Sequence, residues 1–210
     1  MTENKKRVMK LGEVFTPDFI VDDMMLLFKD INYKSTFLEP GCGNGNFLIK
    51  ILDLKLNQIS EMKESKISIK NGYYDEFEHK LIVSVSSIYG VDIDKKNVKE
   101  SRFRMLERIK EFYKKFGKRD MPHYLIESLN YIINSNIILG DLLNKKEKIV
   151  INEYTEVKGF KIKIRKFLYS DLIYPDDEVF QDNYKLFAHL PQHIEEYSSI
   201  NYKEIGSQSE

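Results

Sequence analysis

Cysteine is nearly absent from this chain, since one thiol occurs among 210 residues. An intramolecular disulfide is therefore excluded, and a reducing compartment is indicated, so we expect a cytoplasmic location. No run approaches the 18 apolar residues of a membrane span, and the charged N-terminus has no apolar stretch after it. We therefore expect neither a membrane anchor nor a signal peptide.

A net basic excess, which is usual in nucleic-acid-binding domains, is also missing because 33 basic residues balance 33 acidic ones. The charge is nevertheless uneven: residues 176–210 hold 8 acidic and 2 basic residues, and the remainder holds 31 basic and 25 acidic ones. This distribution permits DNA contact without requiring it. We interpret the acidic tail as a solvated, partly disordered terminus. No metal site is predicted, because the single cysteine has no ligand spacing with His79, His123, His189 and His193.

The most informative stretch is a glycine-rich segment between a short apolar strand and a helix. Glu39 ends the strand, and Gly41, Gly43 and Gly45 follow at alternating positions. Glycine adopts positive φ freely and lets a ligand approach the backbone at a helix N-terminus. The spacing differs from the dinucleotide fingerprint, which expects its acidic partner later. An acid before the loop suits a cationic or hydroxylated part of a ligand, although a plain strand-to-helix turn is the alternative.

Strands and helices alternate along most of the chain. Strands are predicted over 35–39, 87–93 and 136–140, with helices over 18–28, 46–64, 76–86, 97–116 and 122–134. This pattern predicts an α/β fold with a doubly wound, mostly parallel sheet and a ligand at the strands' carboxyl ends. We divide the chain into an N-terminal segment (1–34), an α/β core (35–145), a β-hairpin that completes or extends the sheet (146–175) and an acidic tail (176–210).

Three acidic residues are predicted at the carboxyl ends of the three strands: Glu39, Asp92 and Asp141. A carboxylate after the second strand suits the two hydroxyls of a ribose, and one after the third suits an exocyclic amine. Ile93 would offer an apolar face to a purine. The set describes an adenosine without a pyrophosphate, so S-adenosylmethionine (SAM) is the candidate cofactor. Asp92 could instead cap its strand, and Asp141 could be a turn residue.

Four segments in order resemble the class I SAM-dependent DNA methyltransferases of the adenine-N6 type, found in restriction–modification systems and phages. They are Gly12-Glu13-Val14-Phe15-Thr16-Pro17, Leu38-Glu39-Pro40-Gly41-Cys42-Gly43-Asn44-Gly45-Asn46-Phe47, Tyr89-Gly90-Val91-Asp92-Ile93-Asp94 and Asn136-Ile137-Ile138-Leu139-Gly140-Asp141.

The resemblance implies a Rossmann-like fold and a role in SAM binding for each segment. Phe15, Thr16 and Pro17 would pack over the methionine end, although Thr16-Pro17 also suits a helix start. The glycine loop with Asn46 and Phe47 would surround SAM, Asp92 would hold the ribose, and Asp141 would recognise the adenine.

One family motif has no clear counterpart. The family carries Asn/Asp-Pro-Pro-Tyr/Phe after its fourth strand, where it binds the flipped target base, and this chain has no Pro-Pro pair. Asn152 and Tyr154 are the nearest positional match and the weak catalytic candidates. The alternative makes them part of the first hairpin strand. Cys42 suits a small loop filler better than a nucleophile.

The resemblance therefore implies a DNA adenine-N6 methyltransferase, alone or as one part of a split or multi-subunit enzyme. DNA and a second subunit, which would supply target recognition or the acceptor site, are its expected partners. A non-catalytic SAM-binding or interaction protein is the alternative from another class. A methyltransferase acting on RNA, protein or a small molecule is a third hypothesis, which the Phe15-Thr16-Pro17 segment disfavours.

Overall fold

The computed structural model describes residues 16–64, 73–117, 119–144, 147–173 and 191–209. Its helices are α1 (Asp18–Met25), α2 (Asn46–Glu64), α3 (Tyr73–Ser86), α4 (Lys95–Gly117), α5 (His123–Asn136), α6 (Tyr169–Ile173) and a final 3₁₀ helix (Tyr202–Ser209). Its strands are β1 (Phe37–Glu39), β2 (Ile88–Asp92), β3 (Ile137–Leu139), β4 (Val150–Val157), β5 (Lys161–Leu168), β6 (Glu195–Glu196) and β7 (Ile200–Asn201). The predicted helices and strands are present, with their ends shifted by a few residues. In the part of the chain that is described, no helix is long and apolar enough to cross a bilayer.

The first sheet is parallel and has the order β1-β2-β3. Phe37 is paired with Ile88, and Gly90 with Ile137. Strand order follows chain order, so the described strands show no reversal of the kind that defines a doubly wound sheet. The mixed α/β character is therefore confirmed, whereas double winding is not.

Helices pack in pairs around this parallel sheet, α2 against α4 and α3 against α5. Gly90 of β2 faces α2, because a Cβ there would lie 2.9 Å from Leu48 Cδ1. Neighbouring strand residues point to opposite faces, so Tyr89 faces the other layer. The apolar stripes of the helices supply most of the core, which includes Leu48, Leu52, Leu81, Ile109, Leu129 and Ile132.

The predicted hairpin is present, and its turn contains Gly159 at φ +82°. Its strands do not join the parallel sheet. They form a second, antiparallel sheet with β6 and β7, both of which pair with β5. Ile162 and Ile164 of β5 are fully buried, and this burial holds the second sheet against the helices.

The end of the acidic tail is structured, so the expectation of a solvated, partly disordered terminus is wrong for residues 191–209. Glu195 pairs with Lys166, and Glu196 pairs with Lys163 and Arg165. These two carboxylates are thus partly neutralised by cations of the hairpin. The side chains of Tyr202 and Ile205 are fully buried and anchor the segment.

Candidate functional site

The carboxyl ends of the three parallel strands lie side by side at one end of the sheet. Glu39 and Asp92 are the last residues of β1 and β2, and Asp92 is in register with Leu139 of β3. The N–H of Gly140, the first residue after β3, donates to the Asp92 carbonyl at 3.0 Å. Asp141 comes directly after Gly140, so the three predicted acids occupy one side of the sheet.

The glycine loop between β1 and α2 owes its shape to two of its three glycines. Gly43 and Gly45 have φ of +53° and +89°, a region that residues with a Cβ rarely adopt. The Ser101 hydroxyl donates to the Gly43 carbonyl at 2.8 Å, and a Cβ on Gly45 would meet the same hydroxyl at 3.0 Å. A Cβ on Gly41 would meet nothing within 4 Å. Gly41 therefore faces the open side of the loop, where a ligand has access.

Asp92 fastens this loop to the end of β2. Its Oδ2 accepts from the Gly43 N–H at 2.8 Å, and its Oδ1 accepts from the Asp94 N–H at 2.8 Å and from Asn97 Nδ2 at 3.3 Å. The capping alternative is therefore present in the structure. A carboxylate has about four acceptor positions, so capacity remains for a ligand hydroxyl. Ribose binding by Asp92 stays a prediction.

Glu39 lies half-buried at the end of β1. Burial raises the pKa of its carboxyl, and a hydrogen bond from the Gly41 N–H partly opposes this rise. A cationic ligand group near Glu39 would favour the ionised form. Its environment therefore suits a positively charged partner.

Asp141 makes a local turn, because its Oδ1 accepts from the Leu143 N–H at 2.9 Å. Its own N–H donates to Glu147 at 3.0 Å. Exposed apolar side chains stand beside the acids: Ile93 is 54% exposed and Leu139 is 46% exposed. Carboxylates flanked by exposed apolar surface can hold a flat ring and its polar substituents.

The upstream segment reaches the glycine loop, as its predicted role requires. The Thr16 carbonyl accepts from Asn46 Nδ2 at 3.3 Å, and α1 begins directly after Pro17. Asn46 Oδ1 in turn accepts from Arg104 at 2.9 Å. Phe47 is partly buried and packs on the core, so it supports the loop from beneath. Phe15 lies outside the described residues.

Helix α4 supplies supporting residues that sequence reasoning missed. Asn97, Ser101 and Arg104 contact Asp92, Gly43 and the Asn44 carbonyl, the last at 2.7 Å. Their spacing of four and three residues places them on one helix face. This polar stripe begins five residues after Asp92, and it is the sequence pattern that could have predicted these supporting contacts.

Cys42 is a filler of the loop, as predicted. Its side chain is 5% exposed, and a Cβ on Gly90 would lie 3.1 Å from its sulfur. Burial, with a smaller effect of the nearby Asp92 charge, raises the pKa of the thiol to about 12. The thiolate that a nucleophile needs is therefore disfavoured.

The weak catalytic candidates lie elsewhere, against the start of β2. The Asn152 carbonyl accepts from the Tyr89 hydroxyl at 2.6 Å, and Asn152 Nδ2 donates to the Tyr154 hydroxyl at 3.2 Å. Asn152 is 5% exposed, and burial raises the pKa of the Tyr154 hydroxyl. Tyr89 and Asp92 are three strand residues apart, which is about 10 Å. These hydrogen bonds lead away from the glycine loop, and the catalytic roles stay predictions.

Comparison with known proteins gives one informative similarity. The chain is 31% identical over 142 residues to the type II methyltransferase M.VspI of Vibrio sp. (strain 343). The match covers 66% of this chain and 28% of that protein, so the chain spans about a quarter of the relative's length. No protein-family model and no solved structure matches the chain. The similarity supports a relationship to methyltransferases.

Proposed function

We propose that this chain is the SAM-binding part of a methyltransferase of the DNA adenine-N6 type. The proposal rests mainly on two hydrogen bonds to Asp92. Its carboxylate accepts from the Gly43 N–H of the glycine loop, and its carbonyl accepts from the Gly140 N–H directly after β3. The upstream segment also contacts this loop through Thr16 and Asn46. The similarity to a type II methyltransferase agrees with this assignment.

The residues present fit the cofactor at three points. Gly41 leaves room at the loop, the environment of Glu39 suits the positive charge at the methionine end, and Ile93 with Leu139 offers apolar surface for adenine. Asp92 and Asp141 would accept hydrogen bonds from the ribose and from the adenine amine. Bound SAM supplies an electrophilic methyl group. The chain's contribution is to bind and orient it.

The acceptor half of the reaction is the part with less support. Methyl transfer needs the target amine held about 3–3.5 Å from the methyl group. Asn152 is buried and Tyr154 is partly buried, and the Asn152 carbonyl accepts from the Tyr89 hydroxyl rather than facing the glycine loop. We therefore propose that another chain supplies the acceptor site and recognises the DNA sequence.

A non-catalytic SAM-binding protein is the second candidate. The observation that favours it is the burial of Asn152 and the partial burial of Tyr154, whose hydrogen bonds run to Tyr89 and to each other rather than to the glycine loop. The fold would then serve partner contact or SAM sensing.

Two measurements separate these hypotheses. Titration calorimetry of the folded chain with SAM should show one site, and no heat at high micromolar SAM would contradict both. Transfer of labelled methyl groups to DNA is then measured with the pure chain and with chain plus host lysate. Transfer only with lysate supports the split enzyme, and transfer by the pure chain rejects the non-catalytic candidate. No transfer in either sample favours it.

A further inference from the structure

One arginine of α4 bonds to the glycine loop at two points. Arg104 Nη1 donates to the Asn44 carbonyl at 2.7 Å and to Asn46 Oδ1 at 2.9 Å. This nitrogen carries two hydrogens, so it can make both bonds at once. Both bonds are partly shielded from water, and a charged donor makes them stronger than bonds between neutral groups. Arg104 therefore holds the loop by its backbone and by the Asn46 side chain.

The Asn46 amide extends this contact to the upstream segment. Its Oδ1 accepts from Arg104, and its Nδ2 donates to the Thr16 carbonyl at 3.3 Å. Because a guanidinium can only donate, Arg104 determines which end of the amide faces it. The donor end is then directed to Thr16, two residues before α1 begins at Asp18. A chain of hydrogen bonds therefore runs from α4 through the loop to the start of α1.

The neighbouring arginines of α4 bond elsewhere. Arg102 donates to the Ile137 carbonyl at the start of β3, and Arg108 pairs with Asp53 of α2 at the surface. Neither of these contacts involves the glycine loop. The contacts of Arg104 are thus specific to its position, and Arg108 offers a matched arginine on the same helix.

We propose that Arg104 is a positioning residue of the cofactor site, which holds the glycine loop in shape and joins it to the start of α1 through Asn46. The inference rests on the proposed function, because SAM is the ligand for which the loop is held. A loop that is fixed before the ligand arrives loses less conformational freedom on binding, so the affinity is higher. Removing Arg104 should therefore loosen the loop in the free protein and weaken SAM binding.

Two backbone amides report on this hydrogen-bond chain without any ligand. The Gly45 N–H donates to the Cys42 carbonyl within the loop at 2.9 Å, and the Ile20 N–H donates to the Pro17 carbonyl in the first turn of α1 at 3.0 Å. Arg104→Met keeps a long side chain and removes its donors. Hydrogen exchange, read by NMR on the SAM-free protein, should become about tenfold faster or more at both amides in this variant.

Asn46→Asp separates the two ends of the hydrogen-bond chain. Aspartate keeps an acceptor for Arg104 and is tolerated at the start of a helix, but it loses the donor to Thr16. In this variant only the Ile20 amide should exchange faster. An unchanged Ile20 amide would overturn the connection through Asn46, even if Arg104→Met does not fold. Arg108→Met is the matched control and should leave both reporter amides as they are in the wild type.

The Tyr197 amide is the internal control for the fold. It donates to the Ile164 carbonyl at 2.9 Å in the second sheet, and it should exchange at the wild-type rate in every variant. If Arg104→Met accelerates exchange at Tyr197 as much as at Gly45, Arg104 stabilises the whole fold, and the positioning role is overturned.

Calorimetry with SAM tests the consequence for binding. Arg104→Met should raise the Kd about tenfold, and Arg108→Met should leave it unchanged. Unchanged exchange at both reporter amides in Arg104→Met would overturn the proposal, and faster exchange with unchanged SAM affinity would overturn its role in the cofactor site. If the wild type binds no SAM, the proposed function fails, and the exchange pattern alone still decides whether Arg104 joins the loop to α1.

Discussion

Asp92 and Glu78 are both carboxylates at the centre of hydrogen-bond clusters, yet their surroundings differ. Glu78 is fully buried, and among the described residues its oxygens accept from four side chains. The donors are Tyr113 at 2.6 Å, Tyr124 at 2.7 Å, Tyr202 at 2.8 Å and Arg119 at 2.7 Å. Burial, reinforced by the bond to Glu78, raises the pKa of Tyr124 to about 12, so this hydroxyl remains a donor.

Asp92 is half-buried and is held mainly by backbone N–H groups of Gly43 and Asp94. A buried acid surrounded by side-chain donors fastens distant segments, here the C-terminal Tyr202 to α3. An acid bonded to loop backbone at an open strand end shapes a surface and keeps acceptor capacity for a ligand. The comparison predicts that Glu78 governs stability and that Asp92 governs binding.

Glu78→Ala should give the largest effect. It leaves Arg119 and three hydroxyls without their common partner, so we expect a loss of about 3–5 kcal/mol in the free energy of unfolding. Urea denaturation followed by circular dichroism measures this loss. Glu76→Ala is the control, because Glu76 is half-exposed and pairs with Lys80 on the helix surface, and it should change stability by about 0.5 kcal/mol or less. Similar losses in the two variants would contradict the role of Glu78.

Lys55 gives a pH-dependent prediction for the same stability measurement. Its fully buried ammonium donates to the carbonyls of Ser84 and Ser35 and to the Ser87 hydroxyl. Burial lowers the pKa of Lys55 to about 7, so the unfolded chain binds the proton more tightly than the folded chain. Stability should rise from about pH 7.5 to 9.5, by at most about 1.4 kcal/mol per pH unit. Lys55→Met should flatten this slope, and Lys110→Met, at a partly exposed lysine on α4, should not. Equal slopes in all three proteins would refute the assignment.

Asp92→Ala tests the other side of the comparison. It removes the hydrogen bond to the Gly43 N–H and the expected ribose acceptor, so SAM binding should weaken by about 1–3 kcal/mol, or roughly fivefold to 150-fold in Kd. Calorimetry measures the change. Asp94→Asn is the matched control because asparagine keeps the helix cap, whose acceptor bonds the Lys96 N–H. Equal affinity of Asp92→Ala and wild type would remove Asp92 from the site.

The smallest effect is expected at Glu39. Burial raises the pKa of this carboxyl above its usual value of 4.5, so protonation begins at a higher pH than for an exposed glutamate. Affinity for cationic SAM should therefore fall as pH is lowered from about pH 7 toward pH 5. Glu39→Gln should bind more weakly at neutral pH and lose this pH dependence in calorimetry. An unchanged pH profile in the variant would show that Glu39 does not face the cofactor's charge.

The sequence predicted the glycine loop, the three strand ends and the hairpin, because each depends on the spacing of residues that are close together in the chain. The placement of Tyr202 depends on a bond to Glu78 across 124 positions, and no local pattern encodes it. The burial of Asn152 likewise depends on a distant partner, the Tyr89 hydroxyl of the other sheet, and its catalytic role stays a prediction. The sequence predicted solvent exposure for the tail because the cations that pair with Glu195 and Glu196 lie about 30 residues earlier, on the hairpin.

The most direct test of the account is an amide NMR map of the chain with and without SAM. Perturbations and slowed exchange should concentrate at the glycine loop (residues 41–46), at Ile93 and at Asp141, and should be absent at Asn152 and Tyr154. Perturbations centred on the cavity lined by Tyr154 and Phe167, with an unchanged glycine loop, would contradict a SAM site at the ends of the parallel strands.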